Sequence, residues 1–207
     1  NLRIGKLAPD LVVDCKSIPE LNELTYDAQK GLTLGAAVPC YKIYGDAQVS
    51  AAYPGLIDAA SLIGGTQIQG RASIGGNLCN AAPSADSIPI LIALGVTARI
   101  VGPKGTREAP VEDFCTGPSQ NILQSGELLV SIHFPPPTPN LGARYLRFIP
   151  RNEMDIAVAS AGVSVVLDNG AFRSARIALA SVAPTPLFGR EAGEALPRKP
   201  VSEESIQ

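Results

Sequence analysis

Residues 64–86 read Gly64-Gly65-Thr66-Gln67-Ile68-Gln69-Gly70-Arg71-Ala72-Ser73-Ile74-Gly75-Gly76-Asn77-Leu78-Cys79-Asn80-Ala81-Ala82-Pro83-Ser84-Ala85-Asp86. From Gln67 to Pro83 the segment carries neither a helical nor a strand period, and it is rich in Gly, Asn and Ser. It is therefore expected to be a long ordered loop, and loops of that length inside compact domains usually carry function. Adjacent glycines let the backbone approach a ligand without a Cβ in the way. Successive backbone N–H groups in such a turn form an anion-binding concavity. Ser73 and Asn77 add side-chain donors, and Asp86, at the start of a helix, is placed to bind sugar hydroxyls. Two interpretations stay open on the residues alone: a site for a diphosphate and a ribose, or a glycine-rich connection with no ligand. The segment fits neither G-x-x-x-x-G-K-[ST] nor G-x-G-x-x-G, which argues against a P-loop or an ordinary Rossmann site.

Regular elements are expected on both sides of this loop. Upstream, Tyr53-Pro54-Gly55 opens an amphipathic helix through Leu56, Ile57, Ala60 and Ile63 that Gly64-Gly65 ends. Before it, Leu32–Ala36 and Leu11–Val13 are expected strands, and Ser17 followed by Pro19 marks a helix start. Downstream, Asp86–Leu94 is an apolar helix stopped by Gly95, followed by a strand over Val96–Val101, a short helical piece over Pro110–Phe114 and a strand over Leu128–Phe134. Pro135-Pro136-Pro137-Thr138-Pro139-Asn140 is extended and semi-rigid, cannot join a central strand, and sets a domain boundary. Beyond it lie strands over Tyr145–Phe148 and Ile156–Leu167, a positive-φ turn at Asp168-Asn169-Gly170, and a returning strand over Ala171–Ala180. That pattern predicts an antiparallel sheet. Ser202 caps a helix that the end of the sequence at Gln207 cuts short, and the absence of an initiator Met suggests a start inside a longer chain.

Composition narrows the function. The 207 residues are 45% apolar with a formal charge of −2, without a basic cluster for nucleic acid or an apolar run for a bilayer. Four cysteines, Cys15, Cys40, Cys79 and Cys115, form no C-x-x-C pair, so a metal or iron–sulfur site made by this chain is not expected; four free thiols are. The single histidine, His133, sits on a predicted strand, which leaves little from which to build a Ser-His-Asp hydrolase.

Ser73-Ile74-Gly75-Gly76-Asn77, followed by Ala82-Pro83 and Asp86, resembles the second FAD-binding loop of the molybdenum hydroxylase flavoproteins, the flavin subunits or domains of carbon monoxide dehydrogenases, xanthine dehydrogenases and aldehyde oxidases. Gly126-Glu127-Leu128-Leu129 is similar to the family's stretch before its domain junction. Tyr145-Leu146-Arg147-Phe148, Arg151 and Asp155-Ile156-Ala157 are similar to the signature after it. The resemblance implies an α+β fold: a vanillyl-alcohol-oxidase-like (PCMH-type) FAD-binding domain over residues 1–136, then a smaller α/β C-terminal flavoprotein domain over 137–207, with both ends truncated and the family's first glycine-rich loop lying before Asn1. It implies FAD as cofactor, with Gly75 and Gly76 amides on the pyrophosphate, Ser73, Ile74 and Asn77 beside them, and Asp86 on a polar part of FAD. Ile63 and Leu129 match positions that pack on the cofactor. Arg147 matches a position usually occupied by Lys, where a cation stabilises negative charge. No catalytic side chain and no metal ligand is implied. The implied partners are a large molybdopterin subunit and a small [2Fe–2S] subunit in a cytoplasmic dimer of heterotrimers, with electrons passing from the clusters to FAD and on to an acceptor. Each residue also has a plainer interpretation: Arg147 and Arg151 as solvated charges, Asp155 as a turn cap, Ile63 and Leu129 as core, Cys79 as a buried thiol. Two alternatives to the whole scheme are a cofactor-free scaffold of the same fold and a stand-alone flavin oxidase.

Overall fold

The computed structural model describes residues 3–5, 8–151 and 154–206. The chain opens irregularly, makes a single 3-10 turn over Pro19–Asn22, and enters strands β1 (Leu24–Asp27) and β2 (Gly31–Gly35). Six short helices follow: α1 (Cys40–Gly45), α2 (Ala47–Ala52), α3 (Pro54–Ala60), α4 (Thr66–Gln69), α5 (Ile74–Asn80) and α6 (Ser87–Ala93). Next come β3 (Thr97–Gly102), β4 (Gly105–Pro110), the small hairpin β5 (Cys115–Gly117) and β6 (Gln120–Asn121), and β7 (Leu128–Phe134). The remainder is β8 (Leu141–Phe148), β9 (Ala159–Asp168), β10 (Ala171–Ala180), β11 (Leu187–Phe188), α7 (Arg190–Glu194) and α8 (Glu203–Ile206).

Two antiparallel sheets organise these elements, one in the order β1-β2-β7-β3-β4 and one in the order β11-β10-β9-β8. Pro135–Pro137 lie outside any strand, between the two sheets, and the linker is pinned by Tyr53, whose hydroxyl donates to the Pro135 carbonyl at 2.9 Å. The turn at Asn169-Gly170 takes the positive φ its residues favour, 49° and 79°.

Helix α6 leads into β3 of the first sheet and packs against the second. All seven of its residues are buried, as expected for a helix apolar on every side. It packs on β8, β9 and β10, and Gly162 of β9 makes room: a Cβ there would come within 2.4 Å of the Ile90 nitrogen. The second sheet also caps the helix. Ser164 Oγ donates to the Ala93 carbonyl at 2.6 Å, and the Arg176 guanidinium donates to the Ile92 carbonyl at 2.9 and 3.1 Å. These bonds add to the Gly95 N–H, which donates to the Ile92 carbonyl at 3.0 Å, in satisfying the carbonyls at the helix C-terminus.

Several expectations need correction. Leu11–Val13 form no strand; they are irregular and 67–77% exposed, because among the described residues no strand lies alongside to pair with them. Ser17 caps nothing: the turn at Pro19 starts from Ile18, without a side-chain cap. The helix opened by Pro54 stops at Ala60, so Ile63 lies in the turn beyond it. The segment expected as one long loop contains α4 and α5. The last helix does form, over Glu203–Ile206, with Ser202 Oγ accepting from the Ser205 N–H at 3.2 Å. As expected, all four cysteines are free thiols. No helix among the described residues is long and apolar enough to cross a membrane.

Candidate functional site

A cleft of about 570 Å³ opens where α5 meets the β2–α1 connection and the start of β7, within the usual size of small-molecule sites. Its floor is built from α5. Ser73 is the N-cap, its hydroxyl accepting from the Gly76 N–H at 3.1 Å, and its backbone is extended as caps require. An antiparallel bridge, Pro39 to Ser73, ties the cap to the start of α1, with the Cys40 N–H donating to the Ala72 carbonyl at 2.9 Å. At the other end, Ala81 turns into the left-handed region (φ 47°), and Asn121 Nδ2 donates to the Cys79 carbonyl at 2.8 Å. Seven residues containing two glycines would not hold a helix alone; the contacts at both ends do so here.

The two glycines do different jobs. A Cβ on Gly75 would lie 2.5 Å from the Ala36 backbone, so this residue is bare because β2 continues directly against it. A Cβ on Gly76 would meet only Ser73 Oγ, at 3.0 Å, and Gly76 is exposed in the cleft. Ile63 and Leu129 supply apolar walls, with Leu123 and Leu128. The turn carrying Ile63 is fixed from behind by Gln69, which is 2% exposed: its amide donates to the Ser61 and Ile63 carbonyls and accepts from Tyr44 Oη at 3.0 Å.

Asn77 is one of the polar groups of the wall, beside Ser73 and Asn80. Its Oδ1 accepts from the Ser87 N–H at 3.2 Å and from the Ser87 hydroxyl at 2.6 Å. Its amide nitrogen has no partner among the described residues, so two donors remain available. Two cations stand at the mouth: Arg71, and Lys16, which donates to the Arg71 carbonyl at 2.5 Å. Cys79 also lines the cleft. Burial, and then the neighbouring Cys115, push its thiol up to about 11, so it is neutral near pH 7 and lacks the thiolate that redox or nucleophilic work requires.

The structure thus brings Ile63, Ser73, Gly75, Gly76, Asn77 and Leu129 to one cleft and places Ile74, Asp86 and Arg147 outside its wall. Ile74 points into the core, 1% exposed. Asp86 and Arg147 form a buried pair, with Nη1 3.1 and 3.2 Å from the two carboxylate oxygens and the Tyr145 hydroxyl donating to Asp86 at 2.7 Å. Burial, reinforced by the Asp86 charge, drives the Tyr145 phenol well above its ordinary range and keeps it a donor. Arg151 and Asp155 pair with each other at 3.0 Å on the exposed side. Lys16, Arg71 and Leu123 carry no local signal as site residues, because only the fold gathers them. Ser87 carries one, a hydroxyl in an otherwise apolar helix, whose meaning needs its partner.

A cleft with apolar walls, a bare glycine edge and an outward amide suits a flavin nucleotide, and the fold is that of a flavoprotein. Residues 1–137 match the FAD-binding domain in molybdopterin dehydrogenase, and residues 144–207 match the CO dehydrogenase flavoprotein C-terminal domain. The chain is 33% identical to the xanthine dehydrogenase FAD-binding subunit of Escherichia coli O157:H7, over 95% of its own length and 68% of that protein's. It is 30% identical to the carbon monoxide dehydrogenase medium chain of Afipia carboxidovorans, over 91% and 65%. It superposes on the crystal structure of cyanide-inactivated Cu,Mo-CO dehydrogenase with a TM-score of 0.92 at 28% identity, covering 98% of this chain and 70% of that one. The chain spans about two thirds of the length of these relatives. It belongs to the family of FAD-binding (medium) subunits of molybdenum hydroxylases, oxidoreductases whose flavin cofactor is FAD.

Proposed function

We propose that this chain is the subunit through which electrons leaving [2Fe–2S] clusters reach an external acceptor, with FAD held in the cleft beside α5. The observation that carries the assignment is the cleft's unmatched polarity: Asn77 lines it with an amide nitrogen that has no protein partner among the described residues, beside the bare edge of Gly76 and between apolar walls. When bound, FAD supplies the redox chemistry, which no lining side chain is equipped to perform.

The chain's own residues bind and orient. Gly75 and Gly76 would let backbone approach the diphosphate, and Ser73 and Asn77 would contribute polar groups. Ile63 and Leu129 would offer apolar contact to the cofactor and exclude water, and Ile74 supports the α5 turn from the core. Asp86 and Arg147 support the same site from behind its wall: Asp86 precedes Ser87, which is bonded to Asn77 in the cleft wall. Residues 1–136 are proposed as the FAD-binding domain and 137–207 as the C-terminal domain. The family relationship supports a large molybdopterin subunit, where substrate is oxidised, and a small [2Fe–2S] subunit as partners, in a cytoplasmic dimer of heterotrimers.

Titration of the folded protein with FAD, followed by flavin fluorescence, tests the site: saturable quenching is expected, weakened in Asn77→Asp, which presents an acceptor where the wild type presents a donor. A folded protein that leaves the fluorescence unchanged overturns the assignment in favour of a cofactor-free scaffold. Metal and flavin analysis of the complex purified with this chain tests the partners: molybdenum, iron and flavin are expected together, and a complex holding neither iron nor flavin refutes the electron-transfer role.

A further inference from the structure

We infer that Ser87, which lies outside the cleft, is a positioning residue that makes Asn77 a hydrogen-bond donor to the ligand. The inference rests on the cleft being the FAD site and specifies what one point of that site selects: an acceptor oxygen on the bound molecule, whether phosphate or carbonyl.

An asparagine amide has an acceptor end and a donor end of nearly the same shape, and its partners decide which end faces where. Here the decision comes from Ser87. Its backbone N–H can only donate, and it points at Asn77 from 3.2 Å, so the atom it meets must be the amide oxygen. The Ser87 hydroxyl converges on the same oxygen at 2.6 Å and is the shorter of the two bonds. With both donors on Oδ1, the amide nitrogen is left without a protein partner among the described residues, on a side chain that lines the cleft.

The anchor is rigid. Ser87 is fully buried and is the first residue of α6, which is enclosed by the second sheet and capped there by Ser164 and Arg176. Removing the hydroxyl leaves Asn77 only the longer N–H bond, so the amide gains rotational freedom and its donors lose their direction. The loss is then paid at ligand binding, through Asn77 and through no other group.

The test is a double-mutant cycle on FAD affinity in the full chain, read by fluorescence titration, with thermal unfolding of each ligand-free variant alongside. Asn77→Ala is expected to weaken binding about tenfold, the effect of one hydrogen bond to an acceptor oxygen. Ser87→Ala is expected to weaken it about threefold to tenfold, and to have no further effect once Asn77 is already Ala. Should Ser87→Ala not fold, Ser87→Cys keeps the volume and weakens the donor, and carries the same expectation at smaller amplitude. A Ser87 effect that persists undiminished beside Asn77→Ala shows that Ser87 acts through the fold and overturns the inference. Unchanged affinity in Ser87→Ala overturns it as well, while leaving the site assignment intact. Absence of FAD binding by the wild type removes both the site assignment and the inference.

Discussion

The cleft and the buried cluster beside it are made from the same kinds of groups and use them in opposite ways. In the cluster, Asp86, Tyr145 and Arg147 satisfy one another: two bonds join the guanidinium to the carboxylate, and the phenol donates to it as well. The cluster joins the start of α6 to β8, one sheet's helix to the other's strand. In the cleft, Asn77 is satisfied on its acceptor side alone, and Gly76 leaves the backbone uncovered. Binding capacity therefore resides in the groups left unanswered. Polar groups that answer each other hold the fold, and those held from behind and left open in front are available to a ligand.

The sharpest way to break this contrast is Asp86→Ala. It strands Arg147, whose side chain is only 8% exposed, and an uncompensated buried charge is expected to cost about 3–5 kcal/mol in urea unfolding. A loss under about 1 kcal/mol would mean that water already serves Arg147, and the cluster would no longer count as self-satisfied.

The two glycines of α5 separate packing from binding within adjacent residues. Gly75→Ala drives a methyl group to 2.5 Å from the Ala36 backbone and is expected to lower stability by about 1–3 kcal/mol. Gly76→Ala meets only the Ser73 hydroxyl, and the better helix propensity of alanine offsets that crowding, so stability should stay within about 1 kcal/mol of the parent. The same variant is expected to weaken FAD binding severalfold by titration, because the methyl enters the cleft. Equal stability losses at the two positions would erase the distinction drawn between them.

The smallest effect is a pH dependence at the rim. Glu127, just before Leu128 and Leu129 in the cleft wall, accepts from Arg107 through both oxygens, at 2.8 and 2.7 Å, and from the Gln124 N–H at 2.8 Å. The Arg107 guanidinium first, and that backbone bond second, hold its carboxyl down to about 2, from an ordinary value of 4.5. A depressed folded-state value stabilises above the unfolded value, and the contribution is lost as pH falls through the folded one. Unfolding of wild type and Glu127→Gln should therefore differ at pH 7, with the gap narrowing as pH drops from about 4.5 towards 2. A gap independent of pH would place the effect in packing.

Much of this was legible in the linear pattern. The strand at Leu128–Phe134 and the Asn169-Gly170 hairpin follow from alternation and turn chemistry, which act within a few residues. The all-apolar run of α6 announces a helix covered on every side. The glycine-rich segment stands out as a site because so many small and polar residues together serve no core. Helix α5 was hidden in that segment for a physical reason: glycine opposes helix formation, and the turn survives through contacts with residues 36–40 and 119–121, which no local window contains. The exposed Leu11–Val13 failed in the opposite direction, since β propensity needs a neighbouring strand to be expressed.

The linear pattern was enough for the helices at Pro54 and Ser87, the strands from Leu128 and Ala171, the proline break, and the stretch from Ser73 to Asn77 as the place to look for a ligand. Only the tertiary structure decided that Gly75 is bare for Ala36 and Gly76 for the cleft, that Asp86 and Arg147 face each other, and that Ser87 turns the Asn77 amide outward. Periodicity and turn preference are properties of neighbouring residues and can be read along the chain. The direction in which a hydrogen bond points depends on a partner that only folding brings within 3 Å.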